Sequence, residues 1–176
     1  MTEEEMVVLV DEQDRPIGLQ EKLQAHVEGR LHRAISVFLF NDKGEMLLQR
    51  RSFSKYHSGG LWTNACCSHP RAGEELQAAA TRRLKEEMGI EVSVEKVFDF
   101  IYQVSLEKGL TEHEFDHVFV GIFNEEPVLN LDEADDWKWI SPEELELDVT
   151  KHPENYTAWF KMIFKKVITS AIGSCC

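Results

Sequence analysis

The stretch 111-TEHEFDHVFVGIF-123 decides the fold, because it can be read in two ways. His113, Glu114 and His117 stand in the order of a zinc-protease helix, where two His at i and i+4 share one face and the Glu acts as base. The flanking residues argue against a helix: Val118, Phe119, Val120 and Ile122, with Gly121 among them, are strand formers. Side chains alternate along a strand, so Glu112, Glu114 and Asp116 share one face while His113, Phe115 and His117 share the other. The helical geometry is lost and a row of carboxylates takes its place. Carboxylates in such an apolar and aromatic setting either bind a cation or carry raised pKa values.

Working outward, the chain is punctuated as one α/β unit. 6-MVVLVD-11 predicts a first strand, 11-DEQDRPIG-18 its turn, and 19-LQEKLQAHV-27 a helical or irregular segment. 34-AISVFLF-40, the turn 41-NDKG-44 and 45-EMLLQR-50 predict a hairpin, and 98-FDFIYQV-104 another core strand. In 73-GEELQAAATRRLKEEMG-89, Leu76, Ala80 and Leu84 recur every four residues and Gly89 follows as a C-terminal stop, which predicts a helix. A second helix is expected in 154-ENYTAWFKMIFKKVITSAI-172, where Trp159, Phe160, Ile163, Phe164 and Val167 make an apolar stripe suited to core packing. No repeat or low-complexity linker divides the 176 residues, and 43% hydrophobic content suits one full-sized core. The expectation is a single domain over 1–176, its core about 6–165, with a flexible tail at 173–176.

Charge and cysteine usage narrow the function. A formal net charge of -13 disfavours nucleic acid and anionic membranes as partners, so a phosphate-bearing ligand needs a local basic patch. No run approaches the roughly 18 apolar residues of a membrane span, and 1-MTEEEM-6 lacks the pattern of a secretory signal; a cytoplasmic protein is expected. Cys66-Cys67 and Cys175-Cys176 are adjacent pairs that cannot staple distant segments, so reduced thiols are expected. His26, His32 and His69, set beside a carboxylate pair, would make an octahedral N/O site suited to Mn, Mg, Fe or a higher-coordinate Zn.

In this order, 25-AHVEGRLHRA-34, 62-WTNACCSHP-70, 82-RRLKEEMGIE-91 and 111-TEHE-114 resemble the type I isopentenyl-diphosphate delta-isomerases. That family has the Nudix fold, so the resemblance implies an α/β/α sandwich with a mixed sheet. The Nudix pattern G-x5-E-x7-R-E-U-x-E-E-x-G-U, with U aliphatic, lies over residues 68 to 90. Glu74, Arg82, Leu84, Glu86, Glu87, Gly89 and Ile90 fit it, whereas Ser68 replaces the first Gly and Arg83 replaces a Glu. Loss of that carboxylate favours binding a diphosphate over cleaving it.

The resemblance implies that Cys67 and Glu114 move protons on opposite faces of an allyl unit, with Tyr102 hydrogen-bonded to Glu114. It also implies that His26, His32, His69, Glu112 and Glu114 hold a divalent ion (Mn2+, Mg2+ or Zn2+), and that Glu87 holds a Mg2+ accompanying the diphosphate. Lys22, Arg51, Lys55, Arg83 and Trp159 would contact a small prenyl diphosphate substrate, and a monomer is expected. Cys66 is expected to be a core residue. A Nudix-type hydrolase and a binding module without turnover are the alternatives. His113, His117 and the Cys175-Cys176 pair receive no role.

Overall fold

A computed structural model describes residues 5–173. The terminal Cys175-Cys176 pair and nearly all of the expected tail lie outside the described residues. Nine strands form one mixed sheet: β1 (Met6–Val10), β2 (Pro16–Glu21), β3 (His32–Phe40), β4 (Met46–Arg51), β5 (Trp62–Thr63), β6 (Cys66–Ser68), β7 (Val94–Ser105), β8 (Thr111–Ile122) and β9 (Ala134–Ile140). Four α-helices accompany them: α1 (Lys22–Glu28), α2 (Leu76–Met88), α3 (Pro142–Lys151) and α4 (Ala158–Gly173).

β3 is the hub. β8 runs parallel to it over its whole length, from His32↔Glu114 to Phe40↔Ile122. Its other edge is divided among β1 at Leu9↔His32, β6 at Ser36↔Cys67 and β4 at Phe40↔Met46. Alternation along β3 feeds two cores. Ile35, Val37 and Leu39 pack under α2 with Ala80, Leu84 and Met88, whereas Phe38 and Phe40 pack under α4 with Phe160, Ile163, Phe164 and Val167. The sandwich of helix, sheet and helix is thus written in the period-two pattern of one strand.

α2 ends where expected. Gly89 closes it at φ 64°, and a Cβ there would approach the Val128 carbonyl oxygen to 2.7 Å. α4 buries Phe160 and Val167 completely, and each such side chain is worth about 1.5–3 kcal/mol relative to exposure.

Three local expectations are revised. The turn at 11–18 is shorter, since Pro16 already begins β2. The 34–50 hairpin opens after its turn: β3 and β4 pair only at Phe40↔Met46, because β6 takes the edge of β3 at 35–37 and β4 turns to β9 and β5. The second long helix begins at Ala158, after a short 3-10 turn at Pro153–Asn155.

Candidate active site

The carboxylate row points inward. Glu112, Glu114 and Asp116 are all buried, on the face of β8 opposite His113. The His residues with no assigned role brace the fold instead: His113 Nδ1 donates to the Gly29 carbonyl (3.1 Å), and His117 Nε2 lies 2.9 Å from Asp14 Oδ2 in the β1–β2 turn.

His26 on α1, His32 at the start of β3 and His69 after β6 converge on that row. His26 Nε2 is 2.9 Å from Glu112 Oε1, His69 Nε2 is 3.0 Å from Glu114 Oε2, and His32 Nε2 is 3.3 Å from the same Glu114 oxygen. His32, His69, Glu112 and Glu114 form one group able to hold a metal ion, and His26 belongs to an adjoining group with His57 and Glu112. The donor chemistry fits a divalent ion. His32 Nδ1 donates to the Arg30 carbonyl (2.9 Å), which leaves a lone pair on Nε2. That nitrogen is buried with no hydrogen-bond partner although it faces two carboxylates. Such a lone pair facing anionic oxygens is repulsive unless a cation lies between them, and a backbone carbonyl orienting the ring is the usual support of a metal-ligating His.

The electrostatics carry the same tension. Burial and the neighbouring Glu114 push Glu112 up to about 7. Burial acts upward on Glu114 too, but the hydrogen bond and charge of His69 hold it well below the ordinary carboxylate range. His69 rises to about 9, since its bonds to Glu114 and Glu5 outweigh burial.

Cys67 stands on the other side of β3 and four positions further along it than Glu114, since Cys67 pairs with Ser36 and Glu114 with His32. β8 occupies one edge of β3 and β6 the other, so the two side chains come from strands flanking the same strand, and both line one cavity of about 60 Å³. Burial, reinforced by Asp116, pushes the Cys67 thiol up to about 12, so it is protonated near neutral pH. Its sulfur donates to Asn64 Oδ1 (3.1 Å) and receives the Trp159 indole N–H (3.1 Å). Asn64 is in turn fixed by donating to the carbonyls of Val37 (2.9 Å) and Cys66 (2.8 Å). Cys66 points away into the core under α2. Tyr102 pairs with Glu114 across β7 and β8, and its hydroxyl donates to Glu114.

Cations and their counter-ions also line the cavity, Glu5 pairing with Lys22. Lys22, Arg51, Lys55 and Arg83 line it with Glu87 and Trp159. Arg51 lies 5.3 Å from the Trp159 ring, and its buried Nε has no partner among the described residues. Arg83 donates to Glu87 Oε1 (3.0 Å) and to Ser68 Oγ (2.7 Å), so the two departures from the Nudix pattern bind each other. Glu133 bridges Lys55 and Arg83. Burial raises Glu87.

Comparison with known proteins agrees with this geometry. The NUDIX domain profile matches residues 30–160. Isopentenyl-diphosphate Delta-isomerase 2 of Aromatoleum aromaticum is 53% identical over 166 residues, covering 94% of this chain and 88% of that one. The chain belongs to the isopentenyl-diphosphate Delta-isomerase family. Another isopentenyl-diphosphate Delta-isomerase 2, from Photorhabdus laumondii, is 52% identical over 91% of this chain and 90% of its own. The Nudix fold is shared more widely. A Deinococcus radiodurans crystal structure superposes with TM-score 0.70 at 24% identity, over 84% of this chain and 90% of that one. A MutT protein from Methanosarcina mazei Go1 does so at 0.63 and 22%, over 77% and 91%.

All of the site residues expected from the sequence of this isomerase-family member either line the cavity or stand directly behind it, as buried His26 and His32 do. Sequence reasoning missed His57, Asn64 and Glu133. Asn64 lay inside the quoted 62–70 motif and could have been read as a polar partner for the thiol. His57 and Glu133 sit in loops with no periodic signal.

Proposed function

We propose that the chain interconverts isopentenyl diphosphate and dimethylallyl diphosphate, with Cys67 and Glu114 exchanging protons with opposite faces of the allyl unit. One observation carries this reading: a thiol and a carboxyl, from strands on opposite edges of β3, line one cavity together with Lys22, Arg51, Lys55 and Arg83. In either direction one of the two groups gives a proton to the alkene and the other takes one from the carbon across the allyl unit. Each turnover ends with their protonation states exchanged, and proton exchange with solvent restores them before the next. Tyr102 holds the Glu114 carboxyl in place, and Trp159 and Asn64 hold the sulfur. The Trp159 ring also faces the cavity, where it stabilises developing carbocation charge by on the order of 1 kcal/mol or more when desolvated. Surrounding side chains exclude the water that would trap such a cation.

Lys22, Arg51, Lys55 and Arg83 would receive the diphosphate, displacing Glu133 from Lys55 and Arg83. Glu87 would hold a Mg2+ that arrives with it. His26, His32, His69, Glu112 and Glu114 would hold a Mn2+, Mg2+ or Zn2+ ion, which when bound would neutralise the carboxylate row and alter the acidity of protons shared with Glu114. The reading includes one domain with its core at about 6–165, acting as a monomer in the cytoplasm, with no nucleic acid as partner. Free Cys66 and Cys67 suit a reducing compartment, and no helix among the described residues is long and apolar enough to cross a membrane.

A Nudix-type diphosphohydrolase is disfavoured by Arg83, whose guanidinium occupies the place of a motif carboxylate. Incubating the protein with isopentenyl diphosphate and Mg2+ in heavy water tests both. Deuterium in the dimethylallyl product without phosphate release is expected, and phosphate without deuterium would replace the isomerase by the hydrolase.

A further inference from the structure

On the reading that Lys22, Arg51, Lys55 and Arg83 receive the diphosphate, we propose that Glu133, a residue outside the sequence motifs, is the resident counter-anion of that site. Its carboxylate competes with the substrate for Lys55 and Arg83, and so sets how tightly the diphosphate is held and how readily it leaves.

Glu133 is the last residue before β9, and its backbone is tied to the segments that carry its partners. Its carbonyl accepts the Ser52 N–H (3.0 Å), and the Ser52 carbonyl accepts the Lys55 N–H (3.1 Å). Its own N–H donates to the Asn130 carbonyl (2.9 Å), while the Asn130 N–H donates to the carbonyl of Glu87 on α2, the helix that also carries Arg83 (3.0 Å). From that position one carboxylate serves two cations lining the same cavity: Oε2 accepts from Lys55 Nζ, and Oε1 accepts from Arg83 (3.4 Å). The Glu133, Lys55 and Arg83 side chains are only 21%, 20% and 16% exposed, so these pairs are screened less than contacts in open water. Arg83 has Glu86 and Glu87 as further partners, whereas Glu133 is the only carboxylate paired with Lys55 among the described residues.

Without substrate, the cations that line the cavity repel one another, and Glu133 offsets part of that repulsion. Substrate and product carry the same diphosphate, so the cations grip both alike. Such uniform binding lowers KM without speeding the chemical step, and it holds the product back. A carboxylate fixed beside Lys55 and Arg83, ready to pair with them again, weakens that grip at both ends of the cycle. Deleting its charge should therefore tighten diphosphate binding, the reverse of what loss of a substrate ligand would do.

Titration calorimetry of the full chain with inorganic diphosphate at saturating Mg2+ compares wild type with Glu133→Gln, which keeps the shape of the side chain and removes its charge. The variant should bind diphosphate about tenfold more tightly, and its KM for isopentenyl diphosphate should fall with no rise in kcat. Thermal melts separate this from a structural role. Without diphosphate the variant should melt below wild type, because Lys55 has lost its partner, and the same excess of diphosphate should raise its melting temperature by more than it raises that of wild type. Glu133→Ala decides in its place if Glu133→Gln fails to fold. A folded variant that binds diphosphate no more tightly than wild type would overturn the counter-anion role and leave the diphosphate reading standing. A wild type that binds no diphosphate would overturn both.

Discussion

Removing one hydroxyl tests whether Tyr102 serves Glu114. Tyr102 is 6% exposed, its hydroxyl donates to Glu114, and its ring stacks on Phe100 at 5.3 Å between centroids. Tyr102→Phe keeps that stack and deletes only the bond. Glu114 retains His69 as a partner, so no carboxylate is stranded and the fold should survive. A hydrogen bond to a charged group is worth about 1.5–3 kcal/mol. If it is made in full only as Glu114 exchanges its proton, its loss lowers kcat by about ten- to 150-fold. KM should stay near wild type, because the cations proposed to receive the diphosphate are other residues. Conversion of isopentenyl diphosphate followed by proton NMR supplies both constants. A folded variant with kcat within about threefold of wild type, or a change confined to KM, would refute the reasoning.

The remaining expectations concern the thiol, the pH response and the core. Cys67→Ala should abolish turnover with little change in melting temperature, whereas Cys66→Ala, in the core under α2, should keep turnover and lose about 1 kcal/mol in a urea melt. Activity in Cys67→Ala would remove that residue from the chemistry. In metal-free protein His69 is raised from 6.5 to about 9, so its stabilising contribution is full below pH 6.5 and is lost as pH rises through 9. Glu112, raised from 4.5 to about 7, acts in the same direction: its contribution is present below 4.5 and lost on passing 7. The melting temperature of metal-free protein should therefore fall between pH 7 and 9, above the range in which the lowered His57, His32 and His117 act in the opposite sense, and added Mn2+ should flatten the slope; a rising curve there would contradict the assigned electrostatics. Phe160, fully buried with Tyr156, Phe164 and Phe38 rings within 6.2 Å of its own, should cost about 3–5 kcal/mol as Phe160→Ala. A loss below 1 kcal/mol in a urea melt would mean that α4 is not a principal wall of the core.

Where a residue's neighbours lie along the chain, the sequence was readable. Period two placed Glu112, Glu114 and Asp116 on one face of β8, and period four with a terminal glycine placed α2. The Arg83–Glu87 contact follows from the same helical spacing. Long-range competition was not readable. Nothing within 34–50 shows that β6 will claim the middle of β3, so the local sequence predicts a complete hairpin. β9 and α3 carried usable local signals that went unread: Asp136, Trp137, Lys138 and Trp139 alternate, and Ser141 caps Glu144 N–H at 3.2 Å with Pro142 opening the helix. The site divided in the same way. Residues inside the motif segments were found, whereas His57 and Glu133 enter from loops whose approach depends on the finished fold.

The most direct measurement follows one turnover, in tritiated water, of isopentenyl diphosphate stereospecifically deuterated both at the carbon that loses its proton and at the terminal alkene carbon that gains one, so that the new methyl group is chiral. With the thiol and the carboxyl entering one cavity from strands on the two edges of β3, the account predicts proton gain and proton loss on opposite faces of the allyl plane. Addition and removal on the same face would show that a single group does both, and would contradict the pairing of Cys67 with Glu114.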